Sequence, residues 1–265
     1  MHTDHYHRAP PGRRRRGALA LLLACAAGWP LAVSAAAAAA AVHRTQAGEL
    51  VVLVDTGTEM PMAQFHGGQL SGGIHMELGR ALAQKMGKTP RFLALPRKRI
   101  ALALNDGQAD LLCMYVPAWL PGQFLWSEPF FPMSEVLVTQ VSAARPHALA
   151  ELAGQPIATV LGYTYPILEQ ALGGAFVRDD GPSNESNFRK MAVGRMHHVL
   201  TQQSSLDYHQ KVGSRLQVHP PLLVKHYLGQ CAVSPRGQAS LAEVNAAIAQ
   251  LLRDGAVQHI MANYR

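Results

Sequence analysis

"GGIHMELGRALAQKMGKTPRFLALPRKRIALALNDGQADLL", residues 72–112, decides the fold class. Ile74, Leu78, Leu82 and Met86 recur at helical spacing, and Gly87 follows as a stop. Residues 91–95 are a short apolar run and read as a strand. Residues 100–105 make a short helix closed by Gly107, and residues 111–114 a further strand. Upstream, "ELVVLVD" at 49–55 is an apolar, β-branched run of the kind that forms a buried strand, and 56–68 is read as a loop. Strand and helix alternate, which predicts a parallel sheet with helices on its faces.

The same alternation continues downstream. A strand is expected at 134–141, a helix at 149–152, a strand at 156–160 and a helix at 165–172. Val177 opens another strand; a helix at 186–193 and strands at 196–201 and 227–233 follow. Residues 240–264 are helical, with Val244, Ile248 and Leu251, a break at Asp254-Gly255, then Val257 and Ile260. The pattern runs once, repeats more briefly and returns at the end. Two α/β lobes are expected, the first completed by the C-terminus.

The first residues have the order of an export signal: Arg8 and Arg13 to Arg16, an apolar run at 18–27, then small residues around Val33-Ser34-Ala35. Residues 1–35 are expected to be cleaved and 36–47 to form a disordered leader. Cys25 sits in a poor match to a lipoprotein box, so ordinary secretion to the periplasm is the expectation. The formal charge of +7 shrinks accordingly. Five arginines and one aspartate precede residue 36 and account for four of those seven charges. About +3 remains, too little for a nucleic-acid partner.

No Cys-x-x-Cys or paired-His spacing points to a metal, and no cofactor is expected; His197 and His198, as sequence neighbours, converge poorly on one ion. Cys113 and Cys231 each lie in apolar surroundings and are read as two buried thiols in preference to a disulfide.

Four stretches carry a resemblance: residues 72–112, "FLWSEPFF" at 124–131, "LAGQPIATVLGYTYPIL" at 152–168 and "VNAAIAQLLRDGAVQHIMANY" at 244–264. In this order and spacing the chain resembles the family 3 solute-binding proteins, the periplasmic receptors of ABC importers, over nearly all of 49–265. The resemblance implies a type II periplasmic-binding-protein fold: two α/β lobes joined by two crossing strands, with a ligand cleft between. It implies a first lobe at 48–139, a second at 140–224 and completion of the first at 225–265, the crossings falling at 134–141 and 222–228. It also implies that Cys113 and Cys231 lie close together, on neighbouring strands.

Ligands of open α/β sheets sit beyond the carboxyl ends of the strands. Met114, Tyr115 and Trp119 follow such an end and are candidates for an apolar, stacking wall, whereas Trp126 belongs to the family's Phe-Ser-(Asp/Glu)-Pro motif and is read as structural. Amino-acid receptors of the family clamp the ligand carboxylate with an arginine from this loop. The corresponding residues here are Leu120-Pro121-Gly122. Their second-lobe aspartate, which takes the ligand ammonium, falls near Gln202, a neutral amide. Arg97, in Pro96-Arg97-Lys98-Arg99 at a helix start, matches a position that often faces ligand. Tyr163, Thr164 and Tyr165 match the turn that offers a hydroxyl and backbone N–H groups, and Glu59 could supply a negative group.

The expected function is capture of a small solute, anionic or aromatic and not a standard α-amino acid, for a membrane permease. A monomer is expected and no covalent chemistry. Two alternatives stand beside it: a dehydratase-like enzyme of the same fold, or a ligand-sensing partner of a membrane sensor.

Overall fold

A computed structural model describes residues 48–213 and 216–265; the expected signal and leader lie outside the described residues. β1 (Glu49–Asp55) is the buried apolar strand of the sequence, and six of its seven residues are buried. The segment read as a loop contains a small hairpin, β2 (Gln64–His66) and β3 (Gln69–Gly72), turned at Gly67-Gly68. Both glycines have positive φ, which a two-residue hairpin turn requires.

α1 (Ile74–Lys85), β4 (Thr89–Leu95), α2 (Arg97–Asn105) and β5 (Leu111–Tyr115) follow as the periodicity predicts. A single 3₁₀ turn at Pro117–Trp119 and the two-residue β6 (Leu125–Trp126) occupy the aromatic loop. β7 (Phe131–Thr139) begins three residues earlier than the hydrophobic run suggests. Residues 149–152 form a 3₁₀ turn in place of the expected α-helix.

β8 (Pro156–Val160), α3 (Pro166–Leu172), β9 (Val177–Gly181), α4 (Asn184–Ala192) and β10 (His198–Gln202) build the second set of alternations. α5 (Gln203–Lys211) was not expected: its sequence is mostly polar, and Leu206 is its one buried aliphatic residue. β11 (Leu222–Val233) is a continuous strand of 12 residues, so the return crossing and the late strand are one element. α6 (Leu241–Arg253) and α7 (Ala256–Ala262) end the chain, broken at Gly255, whose φ is +68°.

Apart from the β2–β3 hairpin, the strands among the described residues make one sheet in the order β4-β1-β5-β11-β7-β10-β8-β9, with β6 also on β11. β1 pairs in parallel with β4 and β5, and β8 in parallel with β9 and β10. Between these two parallel groups, β7 and β11 run antiparallel to each other from Leu222↔Leu137 to Gly229↔Phe131. These are the two crossing strands. The protein is therefore a two-lobed α/β fold, and its apolar core divides accordingly. In the first lobe α1, α6 and α7 cover one sheet face and α2 the other. In the second, α4 and α5 cover one face and α3 the other.

Two buried polar devices tie the first lobe together. Asp110, fully buried, accepts from Val51 N at 2.8 Å, Gln238 N at 2.6 Å and Ala239 N at 3.3 Å, so one carboxylate satisfies donors from β1 and from the approach to α6. Cys113 and Cys231 stand opposite each other in the β5–β11 register and are disulfide-bonded, which overturns the reading of two thiols. Local sequence could not decide this, because pairing across 118 residues is a property of the sheet order.

Candidate functional site

β1, β4 and β5 deliver their carboxyl ends to one place. Asp55, the last residue of β1, is 1% exposed. Its Oδ1 accepts from Gly57 N at 2.8 Å, and its Oδ2 faces Arg97 Nη1 at 3.3 Å and the Tyr115 hydroxyl at 3.5 Å. Arg97 opens α2 directly after β4 and also donates to the Tyr115 hydroxyl at 3.0 Å and to the Trp119 carbonyl at 3.5 Å. Its guanidinium lies 4.3 Å from the Tyr163 ring centroid, across the cleft in the second lobe. The positive charge on which the expectation of an anion rests thus has an internal counter-ion, Asp55. Sequence reasoning missed that partner because Asp55 reads as the end of a strand.

Met114 has φ +61°, in the left-handed region, beside a register shift at Gln230/Cys231. A bulge of this kind re-aims side chains. Successive strand residues ordinarily face opposite ways, yet Met114 and Tyr115 both line the cavity. Gly229, opposite, is closely packed: a Cβ there would stand 3.0 Å from Met133 Cε and 3.1 Å from Met114 Cα.

The cavity between the lobes has a volume of about 120 Å³. All nine candidates, Glu59, Arg97, Met114, Tyr115, Trp119, Tyr163, Thr164, Tyr165 and Gln202, line it. Several are already engaged. Glu59 accepts from Glu185 N, in the first turn of α4 in the other lobe, at 2.6 Å. Burial raises its pKa, and that backbone N–H pulls the other way. The Tyr165 hydroxyl accepts from Val160 N at 2.8 Å and so serves the turn into α3. Trp119 packs edge-on against Tyr227, its ring centroid 5.0 Å away. Leu120 is buried in the first-lobe core, and none of Leu120, Pro121 or Gly122 lines the cavity. Trp126 sits in β6 against Ala232 of β11, in the structural place expected for it.

Residues that sequence reading passed over complete the wall. Glu135, in β7, is 6% exposed, and its Oε2 has no partner. Burial raises its pKa to about 7, against a hydrogen bond from Tyr227 and the charge of Lys225. Thr201, on β10 opposite Val136, is buried with its Oγ1 unpartnered. His75, on α1, is also buried, and burial pulls its pKa down to about 4, so it is neutral at pH 7. The available signal was Glu135 itself, a lone acid inside the apolar run "VLVT" and its flanks. No group of three or more metal-ligating side chains occurs among the described residues.

The family model for bacterial extracellular solute-binding proteins, family 3, matches residues 50–265. The chain belongs to that family. Among solved structures, this solute-binding protein is similar to an ancestral arginine-binding protein bound to arginine, at 21% identity and TM-score 0.67, covering 82% of this chain and 98% of that one. An ancestral amino-acid-binding protein, a precursor of cyclohexadienyl dehydratase, matches at 19% identity and TM-score 0.65, over 82% and 95% of the two chains. A histidine kinase sensor domain with similarity to periplasmic binding proteins matches at 20% identity and TM-score 0.66, over 84% and 96%. At such identities the likeness carries the fold. Among curated proteins, none matches the sequence.

Proposed function

We propose that the protein is a periplasmic receptor, exported through a cleaved signal, that captures a small solute between its lobes. It hands the solute to the permease of an ABC-type importer and does no covalent chemistry on it. The observation that carries this reading is the interlobe cavity, to which both lobes contribute aromatic and polar side chains. Closure of the lobes over a solute buries it and gives a membrane partner a distinct shape to recognise. Family membership supports the class of function, and no described helix is long and apolar enough to cross a membrane.

The solute we infer is not a standard α-amino acid. Leu120, Pro121 and Gly122 bring no base to the cavity, and Gln202 brings no charge. A zwitterionic backbone would therefore lose both of its charge-assisted partners. Calorimetry of the protein from residue 36 onward, across amino acids, small organic acids and amines, tests this. Micromolar binding by at least one acid or amine is expected. Tighter binding of an ordinary amino acid would refute the ligand class, and no heat from any class would refute the receptor reading.

A catalytic reading has one observation in its favour, the buried Glu135 carboxyl whose pKa lies near neutrality in the cleft. Turnover of arogenate by the purified protein would establish it, and is not expected. The likeness to a sensor domain supports a sensor in place of the permease as partner, which co-purification with either membrane protein would separate.

A further inference from the structure

The unmet polar groups of the cavity point to one chemical class. Three carboxylates stand in or behind its wall. Asp55 is met by Arg97, and Glu59 by the Glu185 N–H. Glu135 is 94% buried, and one of its two oxygens has no partner. On the next strand Gln202 stands opposite Glu135, whereas Thr201, whose Oγ1 is also buried and unmet, stands opposite Val136 and faces the other side of the sheet. A buried carboxylate oxygen left unpaired costs its full desolvation, so the site is complete only with a donor. A carboxylate ligand would face Glu135 and find Arg97 already paired. A cation would meet an acceptor.

We propose that the cleft takes an organic amine lacking an α-carboxylate, its ammonium seated on Glu135 Oε2. This rests on the receptor reading above and names its ligand. An ammonium has three N–H donors and no acceptor, which fits an orphaned carboxylate oxygen. Tyr227, which hydrogen-bonds Glu135, packs against Trp119, so the cation head lies beside an aromatic pair. Met62, Met114 and Met133 line the same cavity and suit the alkyl or aryl body of the amine.

Proton and ammonium compete for Glu135, so binding weakens on acidification. The groups that face Glu135 are Tyr227 and Lys225 of β11 and Tyr165 ahead of α3. Thr201 and Gln202 of β10 and Ser205 of α5 are uncharged, and His75 of α1 is neutral down to about pH 4. Burial raises both tyrosine hydroxyls and lowers His75, away from neutrality, which leaves Glu135, at about 7, to set the profile.

The test is calorimetry with matched sets: agmatine and arginine; cadaverine and lysine; phenethylamine, phenylalanine and phenylacetate. At least one amine is expected to bind at least tenfold more tightly than its amino acid or acid. Its Kd should rise about tenfold from pH 8 to pH 6. Glu135→Gln, a near-isosteric change, should weaken that amine about ten- to hundredfold and abolish the pH dependence. The wild-type pH profile needs no variant, so misfolding of Glu135→Gln would not rescue the idea. Preference for the acids or amino acids, or amine binding that is flat with pH, would overturn this proposal and leave the receptor reading standing. Failure of every compound would remove both.

Discussion

At the scale of single residues, Arg97 and Glu135 carry opposite lessons about buried charge. Arg97 is paired with Asp55, and removing one partner of a buried pair strands the other. Arg97→Ala should therefore lower stability by about 3 kcal/mol whatever the ligand. Adding Asp55→Asn should recover most of it, as a urea-denaturation double-mutant cycle would show. A simple ligand clamp would give no such coupling. Glu135 is the unpaired case. Its folded pKa is raised from 4.5 to about 7, so its stability contribution is full below 4.5 and is lost as the pH rises through 7. His75 works the other way, its folded pKa lowered from 6.5 to about 4, so its contribution is full above 6.5 and is lost as the pH falls through 4. The two nearly cancel between pH 4.5 and 6.5. Glu135→Gln removes one side, and its stability should rise with pH through that window. Relative to wild type the gain from pH 4 to pH 8 is about 3 kcal/mol, measured by denaturation at each pH.

At the scale of elements, β5 and β11 are held by more than their ladder. The Cys113–Cys231 bond closes a loop of 118 residues that contains the whole second lobe. By the loop-closure argument its removal costs about 5 kcal/mol, an upper value because the denatured chain retains structure. Cys113→Ser with Cys231→Ser should lower the urea midpoint accordingly. The bond sits at the bulge that sets Met114 and Tyr115 toward the cavity, so the same variant should also weaken ligand binding. Unchanged affinity after a full loss of stability would show that the ladder alone fixes the bulge.

At the scale of the molecule, contacts across the cleft connect lobe position to ligand. Glu59 in the first lobe caps the N-terminus of α4 in the second, and Arg97 lies over Tyr163. Both contacts exist only with the lobes together. Glu59→Ala removes a charge-assisted hydrogen bond and should shift the open–closed balance about tenfold toward the open form. Small-angle X-ray scattering of the ligand-free variant should give a larger radius of gyration than wild type, and ligand affinity should fall by a similar factor. An identical scattering curve would assign Glu59 to the ligand alone.

The alternation of apolar runs determined the fold class by itself, because strand and helix periodicities are local and each buried face follows from its own spacing. β1 and β8 are where residues 49–55 and 156–160 place them, and α1 falls one residue inside each end of the helix expected at 73–86. The strand-end rule pointed to Met114, Tyr115 and Trp119, and the family resemblance to Arg97, Tyr163, Thr164, Tyr165 and Gln202; all of them line the cavity. Other features were not legible. α5 has a polar sequence and becomes helical where it packs on the second lobe. Glu135, Thr201 and Asp55 matter through which polar atoms find partners, and the Cys113–Cys231 bond through which strands become neighbours. Such partnerships join residues from about 40 to more than 100 positions apart. Periodicity sees only a residue's near neighbours, so the charge balance of the cleft is decided by the tertiary structure.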